Sequence, residues 1–143
     1  MLEGVHPIIN NLNKNIIFLG RVNDSQKKYL FEKAALMVMP TINESKNKSI
    51  EGFGIAYLEA AFFSVPSIAS NVGGTPEAVL DNITGKIINK IDDLYETIFE
   101  LLNDHDKLKS LGDNARKRAK AEFSWEHITN KYLYKFDLIY NKK

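Results

Sequence analysis

Four short apolar runs, separated by segments whose apolar residues recur three and four positions apart, limit this chain to a layered fold of strands and helices. The runs are residues 15–20 (Asn-Ile-Ile-Phe-Leu-Gly), 36–39 (Leu-Met-Val-Met, stopped by Pro40), 66–70 (Pro-Ser-Ile-Ala-Ser) and 86–89 (Lys-Ile-Ile-Asn). A run that is apolar at successive positions suits a strand covered on both faces, as in a parallel sheet. Asn23, with Gln26 three residues on, predicts a capping box and a helix with Tyr29, Leu30 and Ala34 on one face. A second helix opens at Gly54, with Ile55, Leu58 and Phe62 at helical spacing. Thr75 is expected as an N-cap, with Pro76 in the first helical position and Glu77 in the first turn. From Asp92 the pattern is helical throughout. Leu94, Ile98, Leu101 and Leu102 mark one helix, and Leu108, Leu111 and Ala115 begin a second. Ser124 caps a last one with Ile128, Tyr132, Phe136 and Ile139 on its apolar side and Trp125 as its core anchor. Strands alternating with helices predict an α/β fold with a parallel sheet of about four strands, C-terminal helices after it, and a single domain over residues 1–143.

Length and charge narrow the function classes. The 143 residues suffice for one core, and 44% hydrophobic with 26% charged residues is an ordinary water-soluble composition. With 19 basic and 18 acidic side chains the net charge is +1, so nucleic acid is not an expected partner. The absence of cysteine excludes disulfides, thiolate metal sites and cysteine nucleophiles. His6, His105 and His127 lack metal-ligand spacing and read as surface histidines, so no metal is expected. No run approaches the roughly 20 apolar residues that span a bilayer, and the N-terminus has no signal-peptide pattern. A cytoplasmic location follows, with peripheral membrane contact through Arg116, Lys117, Arg118 and Lys120 as the less favoured reading beside a solvated helix face.

The residues that point to chemistry are Glu51 and Glu59, eight positions apart around Gly52, Phe53, Gly54 and Ile55. Glycines allow backbone to approach a ligand closely, and a helix N-terminus presents amides and partial positive charge to a diphosphate or a sugar oxygen. Glu59 falls about one turn inside the helix and Glu51 on the loop before it, so the two carboxylates can face the ends of one elongated ligand. Gly73 and Gly74 form a second such loop after the 66–70 run. In parallel sheets ligands bind at the carboxyl ends of strands, where both loops are expected.

These motifs resemble the donor-binding, C-terminal domain of family 4 nucleotide-sugar glycosyltransferases, which have the two-domain GT-B architecture and a Rossmann-like sheet. The signature is Glu, seven residues, Glu, with Gly-Phe-Gly after the first. The likeness extends from about residue 15 to the C-terminus through Phe18-Leu19-Gly20-Arg21-Val22, Met39-Pro40, Gly73-Gly74-Thr75-Pro76-Glu77 and Phe123-Ser124-Trp125-Glu126. The resemblance implies that Glu51 contacts hydroxyls of the donor sugar and is the residue nearest catalysis. It implies that Glu59 holds the nucleotide ribose, that the backbone of Gly52, Phe53, Gly54 and Ile55 contacts sugar and phosphate, that Val22 lies beside the base, and that Gly73 and Gly74 border the sugar. The implied substrate is a UDP- or GDP-linked sugar, with no cofactor, and the implied reaction is retaining hexosyl transfer in polysaccharide or glycolipid synthesis. The long polar loop before Glu51 is similar to that of members acting on lipid-linked or polyol acceptors.

The chain also departs from the family pattern. It is expected to start after two strand–helix units, which carry a diphosphate-binding Arg and Lys, and to lack the N-terminal domain that binds the acceptor sugar, lipid or polyol. Arg21, Lys46 and Lys48 are the cations available as substitutes. In the family strand order 3-2-1-4-5-6 the absent strands are central, which leaves an edge strand apart from a block of three. An unpaired sheet edge invites partners, so a rearranged sheet, self-association, a complementing chain or marginal stability is expected, and the isolated chain is expected to be inactive. The alternative function is a non-catalytic nucleotide-sugar-binding or interaction module.

Overall fold

The computed structural model describes residues 15–41 and 52–140. Helix α1 (Asp24–Lys33) begins as its capping signal requires. The Gln26 amide donates to Asn23 Oδ1 and the Asn23 amide to Gln26 Oε1, each at 2.9 Å, a reciprocal cap of about 1 kcal/mol. Strands β1 (Met37–Met39), β2 (Ser67–Ser70) and β3 (Gly85–Ile88) form one parallel sheet in that order, with Val38 opposite Ile68 and Ile68 opposite Lys86. Helix α2 (Ile55–Phe62) crosses from β1 to β2, and the short α3 (Thr75–Ala78) from β2 to β3. A 3-10 turn then leads into α4 (Leu94–Asn103), α5 (His105–Glu122) and α6 (Trp125–Tyr140).

Successive residues of β2 point to opposite faces, so this central strand divides the core. Ala69 packs with Tyr57, Ala78 and Val79 on the α2 and α3 side. Ile68 packs with Ile88, Leu101 and Leu111 on the α4 and α5 side. Further along α5, Ala115 and Ala119 lie against Ala61 of α2. Gly112 sets the approach of α5, because a Cβ there would strike the carbonyl oxygen of Ser64.

Three expectations are corrected. The sheet has three strands, not four: residues 15–20 form no strand, and Ile16, Ile17, Phe18 and Leu19 are 49–76% exposed. A strand needs a neighbour to take its backbone hydrogen bonds, and none lies beside this run among the described residues. The block of three expected from the family strand order is the sheet observed. Thr75 is not an N-cap but the first residue of α3, following Gly74. Its buried hydroxyl donates to the carbonyls of Ser70 and Val72, tying the β2–α3 turn together. Trp125 is no core anchor, being 87% exposed. Phe123 takes that place by packing its ring at a tilt against Phe53, while Ser124 caps α6 as expected, accepting from the His127 amide at 3.2 Å. The apolar side of α6 is uncovered too, with Tyr132, Phe136 and Ile139 at 60%, 54% and 69% exposure. Among the described residues no helix is long and apolar enough to cross a membrane.

Candidate functional site

The site is built where β1 and β2 end. Gly54 precedes α2 with φ 82° and ψ 64°, the left-handed region that glycine enters without strain. A side chain there would also run into the Tyr57 ring. Tyr57 is 2% exposed, and its hydroxyl donates to the Met39 carbonyl at 2.6 Å, which fastens the start of α2 to the end of β1. After β2, Gly73 has φ 57° and the hydroxyl of Thr75 closes the turn.

The two glycine loops touch. A Cβ on Gly74 would overlap the Gly52 carbonyl oxygen, and would lie 3.3 Å from Phe53 Cα. Only a hydrogen fits between these backbones. Gly52 and Gly73 are exposed, Gly54 is buried, and Phe53 and Gly74 are half-buried. The first turn of α2 therefore opens beside a surface made of main chain, and its leading amides have no intrahelical partner. Ile55, whose backbone was expected at the site, turns its side chain to solvent with 71% exposure.

Glu59 lies one turn into α2, where Lys27 of α1 meets it with Nζ 2.6 Å from Oε1. Their side chains are 38% and 39% exposed. Asp24 stands 3.8 Å from the same ammonium. The hydrogen bond to Glu59, reinforced by the charges of Glu59 and Asp24, raises the Lys27 pKa above its ordinary value. Val22, half-buried, lies two residues before α1, so this ion pair links the segment that carries Val22 to the helix that carries Glu59. An open cleft between the helices is lined by Asp24, Lys27, Glu59, Phe31, Phe62 and Phe63.

The structure thus sets the backbone of Gly52 and Phe53 against Gly74, with Gly73 in the same turn as Gly74, buried Gly54 and exposed Ile55 leading into α2, and Glu59 further along that helix. Glu51, Lys46 and Lys48 lie outside the described residues, and Arg21 is exposed and makes no ion pair among the described residues. Sequence reasoning missed Lys27, whose partner is 32 residues away. Among the described residues, no group of three or more His, Cys, Asp or Glu side chains converges as a metal site would need.

A parallel sheet with glycine loops meeting at its strand ends, followed by packed C-terminal helices, is the fold of GT-B C-terminal domains. The chain belongs to the group 1 glycosyl transferases, whose family model matches residues 9–118. A similar curated protein is the GDP-mannose-dependent monoacylated alpha-(1-6)-phosphatidylinositol monomannoside mannosyltransferase of Corynebacterium glutamicum, 35% identical over 118 residues, 81% of this chain and 31% of the relative. Among solved structures, sucrose-phosphate synthase from Thermosynechococcus elongatus superposes with a TM-score of 0.79 at 26% identity, covering 95% of this chain and 33% of the other. HepE of Anabaena, solved in complex with UDP-glucose, shares the fold at a TM-score of 0.64 and 21% identity over 76% of this chain and 29% of its own. The chain spans about a third of the length of these relatives.

Proposed function

We propose that this chain is the donor-binding part of a retaining hexosyltransferase that uses a nucleoside-diphosphate sugar. The observation that carries the reading is the backbone contact between Gly52 and Gly74, which joins two glycine loops at adjacent strand ends into one amide-rich surface before α2. The nucleotide ribose is bound by Glu59, the base lies against Val22, and the sugar and diphosphate face Gly52, Phe53, Gly54, Ile55, Gly73 and Gly74. Glu51 contacts the sugar hydroxyls. The bond from the anomeric carbon to the diphosphate oxygen breaks and a bond to the acceptor oxygen forms on the same face. The acceptor proton leaves toward the departing diphosphate. The partial positive charge of the α2 N-terminus favours the growing negative charge of that group. The glutamates position the donor rather than attack it. The acceptor, a sugar, lipid or polyol, is bound by a separate N-terminal domain supplied by a longer or complementing chain.

GDP-mannose is the donor to test first, because the relative named above depends on it; UDP-glucose is the second. Amide NMR of the full chain, titrated with each, is expected to show shifts around residues 52–59 with one donor. Glu59→Ala should weaken that donor at least about tenfold, the equivalent of about 1.4 kcal/mol. Unresponsive spectra with both would refute the reading.

A further inference from the structure

We infer that Arg118 and Phe123 are positioning residues of the proposed donor site, holding its two loops in register from the side of α5; the inference rests on that functional reading. Helix α3 is only four residues long, so its last carbonyls have no partner inside the helix. Arg118 supplies one, donating from Nη2 to Glu77 O at 2.8 Å and from Nη1 to Ala78 O at 3.0 Å. Its Nε donates to Glu122 at 3.0 Å, which leaves the guanidinium with a single orientation. A cation at the carboxyl end of a helix is also favoured by the helix dipole.

The same guanidinium lies 5.0 Å over the ring of Phe123. Phe123 in turn packs on Phe53, with ring centroids 5.6 Å apart and planes 50° apart. Phe53 is the residue between Gly52 and Gly54. One planar cation therefore grips the Gly73–Gly74 loop through α3, and seats the Gly52–Gly54 loop through two aromatic rings. The backbone contact between Gly52 and Gly74 lies between these two attachments. The Arg118 side chain is only 16% exposed, so the grip is not a solvated surface pair. Bidentate donation combined with stacking is specific to arginine; a lysine ammonium keeps the charge and loses the geometry.

Positioning and mere stability predict different binding data. The full chain, as wild type, Phe123→Ala, Phe123→Tyr and Arg118→Lys, is titrated with the preferred nucleotide sugar and with the matching nucleoside monophosphate. The monophosphate carries base and ribose, which the Val22 and Glu59 side of the site recognises, but lacks the sugar that the loops would border. Phe123→Ala and Arg118→Lys are expected to lower the affinity ratio of nucleotide sugar to monophosphate about fivefold or more, with monophosphate binding held within about twofold. Phe123→Tyr keeps the ring and should keep the ratio. Should Phe123→Ala not fold, Arg118→Lys and Phe123→Leu, which retains bulk without a ring, make the same comparison. A constant ratio in variants that bind, or equal weakening of both ligands, overturns the positioning role and leaves the functional reading intact. A wild-type chain that binds neither ligand overturns both.

Discussion

Replacing Gly74 by alanine tests whether the two glycine loops must touch. Its backbone, at φ −88° and ψ 5°, lies at negative φ in a region open to alanine, so no left-handed strain is added. Alanine would even stabilise by about 0.4–1 kcal/mol, through a less flexible unfolded chain. Against this stands the added Cβ, which would overlap the Gly52 carbonyl oxygen and lie 3.0 Å from the Gly52 carbonyl carbon. These are main-chain atoms and cannot swing away as a side chain would. The oxygen would have to recede by more than about 1 Å to reach an ordinary contact near 3.5 Å, and overpacking of this kind costs about 1–3 kcal/mol. The net effect is a loss of about 1 kcal/mol, a fall of about 4 °C in Tm for a chain of this size. Donor binding should weaken at least about tenfold, because the separated loops no longer form one surface. Thermal melts and calorimetric titration read the two effects. Gly52→Ala is the stability control: among the described residues its Cβ meets no atom within 4 Å, so only the unfolded-state gain of about 0.4–1 kcal/mol acts and its Tm should stay level or rise by up to about 4 °C. A Gly74→Ala chain with wild-type melting and wild-type donor affinity would refute the reasoning.

Three further outcomes follow from the packing and the charges. Leu101, 1% exposed between Ile68, Ile88 and Leu111, should cost about 2–5 kcal/mol when cut to alanine; urea unfolding with a loss under 1 kcal/mol would contradict the assignment of that core. Tyr57→Phe removes the 2.6 Å bond to the Met39 carbonyl and should destabilise by about 1 kcal/mol in the same assay. The Lys27–Glu59 pair sets an alkaline limit: Glu59 raises the Lys27 pKa above the ordinary 10.5. A raised folded pKa means that the stabilisation is complete below the unfolded value and is lost as pH rises through the folded one. The Tm difference between wild type and Glu59→Gln should thus stay flat across neutral pH and shrink only above 10.5; a difference already lost by about pH 9 would argue against the pair.

Features written within one turn of chain were legible in the sequence. Asn23 and Gln26 cap each other three residues apart, and Ser124 accepts from the His127 amide at the same spacing, because such hydrogen bonds close before any tertiary contact forms. Gly54 opens α2 in the left-handed region, and residues 36–39, 66–70 and 86–89 supply the three strands, each within a residue or two of its expected bounds. The family motifs belong to the same class of signal, being residues at fixed short spacing.

The misreadings share one cause. Residues 15–20 have the composition of a buried strand and lie exposed, because burial belongs to the neighbour and not to the run itself. Trp125 has the bulk of a core residue, yet Phe123 two positions earlier faces Phe53. Thr75 has the chemistry of a cap, but finds the carbonyls of Ser70 and Val72 in its own turn.

By itself, then, the sequence determined the alternation of elements, the caps at Asn23 and Ser124, the two glycine loops and the family to which the chain belongs. Local hydrogen-bond geometry and hydrophobic period act over a few residues, and so they can be read there. Only the tertiary structure decided that Gly74 lies against Gly52, that Lys27 meets Glu59 across 32 residues, and that Arg118 reaches Glu77 across 41. Those contacts depend on how the sheet brings separate helices together, and no short stretch of chain encodes that distance.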